Sequence, residues 1–278
     1  MTRIKYTFLI LIVFLQFYGC KQREIEIVEY TYSDSIHPFG PSYSNEYKIK
    51  SVIKFNLLKS TSNDPIEQKI VKSINNSILD LIAPDFKNSP SDSIAKYLVE
   101  SNISEMSSLA SERERLLRSG DLSETPLSYD DPNSLSEFTM SLITDCKYGL
   151  GDSIICYSGS TLTYTGGAHP GDYVFAQSYS LNNGSKIRLN SLFDQKSKSE
   201  LCRRITNKLI CRENVKNEDE LKGLGINDIF VSDNFLLGKD TMTFRYDACT
   251  IAPYVYGPID IYFLYDEISD LSPYLREK

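Results

Sequence analysis

The sequence has no tryptophan and only two histidines, His37 and His169. Tryptophan offers the largest flat aromatic surface on which a sugar ring can stack, so its absence counts against a glycan-binding function. Histidine is the side chain that titrates near neutral pH, so general acid–base chemistry has few positions available. The six cysteines include no CxxC pair and no Cys/His cluster with zinc spacing. We therefore expect neither a metal ion nor a cofactor.

An excess of positive charge is also missing, since 30 Lys and Arg residues face 37 Asp and Glu residues and the net charge is −7. Nucleic-acid binding requires a basic face, which excludes that class of function. An acidic chain attracts cationic partners at long range, although the same charge also serves ordinary solubility.

Long apolar runs are absent apart from residues 8–15, which follow Arg3 and Lys5 and precede Gly19-Cys20. This run is too short to span a membrane and is typical of an export signal. We predict a lipoprotein signal peptide over residues 1–19, with Cys20 carrying the lipid (palmitate) that anchors the protein to a membrane of the cell envelope. An uncleaved anchor or an ordinary secretory signal is the alternative. The chain would be periplasmic or surface-exposed.

Five cysteines follow Cys20, and an odd number leaves at least one unpaired in an oxidising compartment. Cys146 and Cys156 flank the turn at residues 149–152 and could face each other across a hairpin. A disulfide between these two cysteines is therefore one outcome that the sequence allows.

The middle of the chain contains two well-marked helices. Asp64 can cap the first, Pro65 fits its first position, and Glu67 stands where a capping box places an acid. Apolar residues recur along it at Ile66, Ile70, Ile74, Ile78 and Ile82. The pattern predicts a core-facing helix that Pro84 ends, and a second helix from about residue 89 to residue 120.

From residue 135 onward the apolar residues alternate with a period of two, as strands require. We predict strands at residues 135–147, 153–165, 172–181, 234–237, 241–246 and 258–265, with a helix at residues 196–212. Helices and antiparallel strands in blocks, rather than in βαβ alternation, predict an α+β fold with antiparallel sheets packed against helices.

Two motifs hold the candidate site residues. The first is Tyr164-Thr165-Gly166-Gly167-Ala168-His169, in which adjacent glycines permit positive φ and a close approach to a ligand. It could be a ligand-contacting loop, or a structural corner whose histidine hydrogen-bonds to the backbone. Catalysis by His169 would need a nucleophile or metal partner, which the spacing does not identify.

The second motif runs from residue 246 to residue 258. Its candidate ligand-binding residues are Tyr246, Ile251, Ala252, Pro253, Tyr254 and Gly257. The alternative is a buried loop between strands, in which Pro253 fixes the turn.

Together the two motifs resemble the paired extracellular domains of the RsiV anti-sigma factor family, which senses lysozyme, and the non-catalytic N-terminal part of PdaC-type peptidoglycan deacetylases. The resemblance covers roughly residues 45–270. It implies two abutting small α+β units, which we place at residues 47–167 and 168–278 after a tether at residues 20–46. Few residues precede the apolar run, so we expect no sigma-factor-binding segment. The metal ligands of the deacetylase domain are not matched.

The resemblance implies a lipid-anchored, non-catalytic envelope protein that binds a lysozyme-like cationic protein or peptidoglycan, which remains an analogy. We expect it to be a monomer. Two alternatives remain open from the sequence. One is an envelope polysaccharide or peptidoglycan hydrolase or deacetylase-type enzyme that uses His169, and the other is an envelope scaffold.

Overall fold

The computed structural model describes residues 24–38, 48–119, 137–165 and 169–276. The chain divides into two compact units, one drawn from Met1–Thr144 and Leu162–Gly171, the other from Asp145–Thr161 and Asp172–Lys278. The strands are arranged in two sheets, and helices pack against them. The predicted α+β class is confirmed.

The first sheet has five strands in chain order. They are β1 (Ile25–Ile36), β2 (Lys48–Ser60), β3 (Glu137–Tyr148), β4 (Ile154–Tyr164) and β5 (Gly171–Ser180). Strands β1 and β2 form a long antiparallel pair, with Ile25 opposite Ser60 and Ile36 opposite Ile49. Strands β2 and β3 are parallel over Lys48–Lys54. A parallel pair needs a long crossover, which the two helices between these strands supply.

Those two helices are α1 (Pro65–Ile82) and α2 (Ser91–Ser119). Asp64 caps α1 as predicted, because its Oδ1 accepts a hydrogen bond from the N–H of Ile66 at 2.8 Å. The capping box is not formed. The carboxylate of Glu67 accepts a hydrogen bond from the hydroxyl of Ser60 instead, and the N–H of Asp64 donates to Ser62.

The apolar stripe of α1 is narrower than the sequence suggested. Ile74 and Ile78 are fully buried, whereas Ile66 is 70% exposed. A strict four-residue repeat drifts by about 40° per step around a helix of 3.6 residues per turn. Ile66 therefore lies about 80° from Ile74 and misses the core.

Side chains continue the hydrogen bonding of β2 beyond its pairing with β3. The N–H of Asn56 donates to the hydroxyl of Thr144 at 3.1 Å. The side-chain amide of Asn75, on α1, both accepts from the N–H of Leu58 at 2.9 Å and donates to its carbonyl at 2.7 Å. These contacts satisfy backbone groups that would otherwise be costly to bury.

The second sheet lies in the second unit and has the order β6 (Phe235–Leu237), β7 (Thr241–Tyr246) and β8 (Ile259–Leu264). Its helices are α3 (Leu189–Leu192), α4 (Gln195–Arg212), α5 (Glu218–Gly223) and α6 (Pro273–Arg276). The apolar face of α4, formed by Leu201, Ile205 and Leu209, shares one core with the buried residues of all three strands.

Two buried side chains of the second unit form hydrogen bonds with the backbone at the edge of β6. The N–H of Leu237 donates to the hydroxyl of Ser178 at 2.9 Å, and the thiol of Cys156 donates to the carbonyl of Leu237 at 3.0 Å. Gly149 fits tightly beside them, because a Cβ there would lie 2.2 Å from the Leu237 oxygen. The edge of this short strand is therefore paired by side chains rather than by another strand.

None of the helices in the described residues is long and apolar enough to cross a membrane. The predicted signal peptide and Cys20 lie outside the described residues, as do Gly166, Gly167 and Ala168.

Candidate functional site

The second motif forms a loop between β7 and β8, residues 247–257, which begins at a buried tyrosine. Tyr246 is 1% exposed, and its hydroxyl donates to the carbonyl of Phe230 at 2.6 Å. The two rings meet edge to face with centroids 5.5 Å apart. Burial raises the pKa of Tyr246 above its usual value of 10. At neutral pH this phenol is therefore an uncharged hydrogen-bond donor that fixes the start of the loop.

Asp247 ties the loop to β5. Its Oδ1 accepts a hydrogen bond from the N–H of Val174 at 2.5 Å. The side-chain amide of Asn234 donates to the carbonyl of the same residue at 3.0 Å. Val174 is 3% exposed, so both of its backbone groups are satisfied by side chains that are distant in sequence. The first residue of the loop is therefore held against β5 by a buried hydrogen bond.

The next part of the loop is a tight turn followed by two buried residues. Cys249 has a positive φ of 64°, and the N–H of Thr250 donates to the carbonyl of Asp247 at 3.1 Å. Ile251 and Ala252 then pack into the core of the second unit. The hypothesis of a buried inter-strand loop is thus correct for these two residues.

The loop returns to the surface at Pro253. This proline lies against Gly225, where φ is +81° and a Cβ would come within 2.8 Å of the proline Cγ. A single 3₁₀ turn follows at Tyr254–Tyr256, closed by a bond of 2.8 Å from the N–H of Gly257 to the carbonyl of Tyr254. Gly257 also has a positive φ, 61°, which favours glycine.

Val255 is at the tip of this turn and is 86% exposed, more than any other large hydrophobic residue in the part of the chain that the structure describes. Tyr254 and Tyr256 flank it and are half-buried. Tyr173, the neighbour of Val174 on β5, is 51% exposed. An apolar tip on a loop that is fixed at both ends is the arrangement expected of a protein-binding anchor, because little conformational entropy is lost on binding.

One carboxylate, that of Asp172, lies near the turn. The pKa of Tyr254 is raised above its usual value, first by loss of hydration and then by the nearby Asp172 and Cys249. The phenol is therefore protonated at neutral pH and can donate a hydrogen bond. The neutral phenol of Tyr254, beside a carboxylate and an apolar tip, suits a partner that carries both apolar and cationic groups.

The first motif is described only in part. His169 is exposed and Tyr164 is half-buried, and both belong to the first unit. The loop at residues 247–257 belongs to the second unit. The roles predicted for Tyr164 and for Gly166 to His169 therefore stay predictions.

The disulfide that the sequence allowed is not formed, because Cys146 and Cys156 are both free thiols. Burial raises the pKa of the Cys156 thiol to about 11, and it raises that of Cys146 as well. The sulfur of Cys156 instead donates to Leu237. A buried, protonated thiol in a hydrogen bond is a poor nucleophile and here has a structural role.

Within the described residues no group of three or more His, Cys, Asp or Glu side chains could hold a metal ion. The supporting residues that sequence analysis missed are Asp172, Val174, Gly225 and Asn234. None of them carries a local signal, because each acts through a contact with the loop that is far away in sequence. Val255 stood within the motif, but an alternating or helical pattern does not identify an exposed tip.

Comparison with known proteins concerns the segment that contains this loop. Residues 190–266 match the family described as protein of unknown function, DUF3298. The matched segment runs from α3 through β8 and includes the whole loop. No protein of curated function matches the sequence.

Two crystal structures of DUF3298 family proteins are similar to this chain. The one from Bacteroides fragilis NCTC 9343 has a TM-score of 0.73 at 20% identity, over 92% of this chain and 97% of that chain. The one from Pseudomonas aeruginosa PAO1 has a TM-score of 0.53 at 14% identity, over the same shares. These similarities extend along nearly the full length of each chain and establish a common fold.

Proposed function

We propose that this chain is a non-catalytic, lipid-anchored binding protein of the cell envelope. We further propose that residues 253–256, the exposed part of its loop at residues 247–257, bind a cationic, lysozyme-like protein. The observation that carries the proposal is the exposed tip at Val255 on a loop held by Asp247, Tyr246 and Pro253. A fixed apolar anchor with tyrosines around it has the composition of a protein-recognition surface.

Charge supports a cationic partner. The chain has a net charge of −7, which becomes −9 if residues 1–19, with Arg3 and Lys5, are removed. Opposite net charges accelerate encounter and are screened by salt. The resemblance of the two motifs to a lysozyme-sensing family points to the same partner. Peptidoglycan is less favoured, because no tryptophan is available as a sugar platform.

A capture experiment with two ligands in parallel tests the proposal. Immobilised lysozyme should retain the purified chain, and retention should weaken as salt is raised from low to physiological concentration. Insoluble wall sacculi should not retain it. Retention by sacculi alone would indicate that the ligand is a glycan rather than a protein. Retention by neither lysozyme nor sacculi would refute the proposed binding function.

The lipid anchor is tested separately. Metabolic labelling with a palmitate analogue should mark the wild-type chain, and the substitution Cys20→Ala should abolish both the label and membrane retention. An unlabelled wild-type chain would contradict the anchor without bearing on the binding loop.

A further inference from the structure

The first turn of α1 exposes a large apolar side chain. Ile66 is the second residue of this helix and is 70% exposed. Pro65 beside it is exposed as well. Both residues belong to the first unit, whereas the loop at residues 253–256 belongs to the second. The apolar start of α1 is therefore a surface that the binding function proposed above does not use.

Hydrogen bonds hold this turn against the end of β2. The hydroxyl of Ser60, the last residue of β2, donates to the carboxylate of Glu67 at 2.6 Å. The side-chain amide of Gln68 donates to the carbonyl of Ser62 at 2.9 Å. Ile66 is thus presented by backbone that is already ordered, which lowers the entropic cost of burying it against a partner.

The chain enters the first unit at the same end of the sheet. The carbonyl of Glu24 accepts hydrogen bonds from the N–H of Thr61 at 2.7 Å and from its hydroxyl at 3.0 Å. The next residue, Ile25, lies opposite Ser60 in the register of β1 and β2. From Glu24 onward the chain is therefore attached to the fold, beside the start of α1.

Very little chain separates this attachment from the residue that we propose to carry the lipid. Only three residues stand between Cys20 and Glu24. The step from Cys20 to Glu24 spans at most about 14 Å, since an extended chain advances by no more than about 3.6 Å per residue. A unit of about 100 residues has a radius of gyration of about 13 Å. A lipid on Cys20 would therefore keep the Glu24 end of the first unit at the headgroups.

The opposite end of the first sheet provides a matched position for comparison. Ile49 lies at that end and shares a core cluster with Met106 and Ala110 of α2. From Ile49 to Ser60 the strand covers roughly 36 Å, at about 3.3 Å per residue. Leu109, which is next to Ala110, is 47% exposed. It is an exposed apolar side chain of the same size, far from the attachment point.

The polar groups around Ile66 suit a lipid headgroup region. Lys69 is exposed and lies three residues after Ile66, about 60° around the helix. Its methylene stem can lie along apolar surface while its ammonium group reaches a phosphate. The carboxylates of Asp64 and Glu67 accept hydrogen bonds from the N–H of Ile66 and the hydroxyl of Ser60. Because charges of both signs are present, the exposed apolar side chain and the short tether, rather than net charge, favour a lipid surface.

We propose that Ile66 and Pro65 dock the first unit onto the phospholipid surface of the membrane that holds the anchor. The inference rests on the lipid anchor proposed above and adds a second, non-covalent contact to it. The short tether gives Ile66 a high effective concentration at the membrane, so one buried apolar side chain is enough to favour contact. The first unit would then have a single orientation, with the Ile49 end of its sheet pointing away from the lipid.

The test uses the full lipidated chain in vesicles of phosphatidylethanolamine and phosphatidylglycerol that contain a nitroxide-labelled lipid. A fluorescent dye is attached at Asn63→Cys, three residues before Ile66, or at Leu109→Cys. In both forms serine replaces the cysteines that are not buried, Cys202, Cys211 and Cys249. We expect the nitroxide to quench more than about half of the fluorescence at position 63 and less than about a tenth at position 109, since roughly 36 Å of strand separates the two ends.

Two variants distinguish docking from mere proximity to the anchor. Added to the form labelled at Asn63→Cys, Ile66→Asp should lower the ratio of docked to undocked chain at least about tenfold, because burial of the isoleucine is lost. Leu109→Asp introduces the same charge at the far end and should leave the quenching unchanged. Circular dichroism would verify that both variants fold.

Equal quenching at the two labelled positions, or unchanged quenching after Ile66→Asp, would overturn the docking. So would a dimer in detergent that Ile66→Asp dissolves, because Ile66 would then contact a second copy of the chain. A chain that fails to float with the vesicles would refute the lipid anchor, and the docking with it. Quenching that is strong at position 63 but insensitive to Ile66→Asp would leave the anchor intact and refute the docking alone.

Discussion

The substitution Asp247→Ala tests whether the candidate binding loop is fixed by the contact seen in the structure. It removes the acceptor of the Val174 N–H, which is 2.5 Å away and belongs to a residue only 3% exposed. Leaving a buried N–H without an acceptor costs about 1–3 kcal/mol. We therefore expect a loss of about 2 kcal/mol in the free energy of unfolding of the second unit.

The matched control is Asp247→Asn, which retains a side-chain oxygen at the same position. It should lose less than about 0.5 kcal/mol, because the hydrogen bond to Val174 persists without the charge. At about 4 °C per kcal/mol for a unit of this size, Asp247→Ala should lower the melting temperature by roughly 8 °C. Calorimetry and near-ultraviolet circular dichroism of the tyrosines would measure both variants.

Limited proteolysis adds a local measurement to the global one. Chymotrypsin cleaves after tyrosine, and Tyr254 and Tyr256 lie in the loop that Asp247 holds. Cleavage there should be faster in Asp247→Ala than in Asp247→Asn. If Asp247→Ala is as stable as the wild-type chain, or if both variants are equally destabilised, the argument that this carboxylate anchors the loop is refuted.

Three further predictions follow from the second unit. Ser178→Ala removes the acceptor of the buried Leu237 N–H and should cost about 1–3 kcal/mol in denaturant unfolding, and a loss under about 0.5 kcal/mol would contradict that role. Gly149→Ala should cost about 3 kcal/mol or more, since its Cβ would overlap the Leu237 oxygen, and a stable variant would show that the packing there is looser. Lys208 holds the pKa of Glu267 below its usual 4.5. The pair therefore adds stability above pH 4.5, and this stability is lost as the pH falls through the lowered pKa of Glu267. Lys208→Met should flatten the acid side of the pH–stability curve, and an unchanged curve would refute the coupling.

Local patterns predicted the elements well, because caps and periodicities are properties of neighbouring residues. The helix start at Asp64–Pro65 and the strands on either side of the turn at residues 149–152 were confirmed within one or two residues. The α+β class followed from the order of these blocks.

The details that failed depend on contacts remote in sequence. Glu67 had the correct spacing for a capping box, but the hydroxyl of Ser60 from β2 reached its carboxylate instead. The sequence allowed Cys156 to pair with Cys146 across a hairpin, yet the thiol of Cys156 donates a hydrogen bond to the carbonyl of Leu237. The pattern of one segment does not show that a residue distant in sequence will take the place of the expected hydrogen-bond partner. The hydrogen bond from Val174 to Asp247, which anchors the loop, could not be predicted from the sequence for the same reason.

The central claim is that the apolar tip of the loop binds a cationic, lysozyme-like protein. Calorimetric titration of the full chain with purified lysozyme tests it most directly when wild type, Val255→Asp and Ile66→Asp are compared. Ile66 is also exposed, at 70%, so its variant carries the same change in charge on α1. We expect Val255→Asp to lose about 2 kcal/mol, or roughly 30-fold in affinity, and Ile66→Asp to bind as the wild type does. No binding by the wild type, or equal binding by all three proteins, would contradict the account.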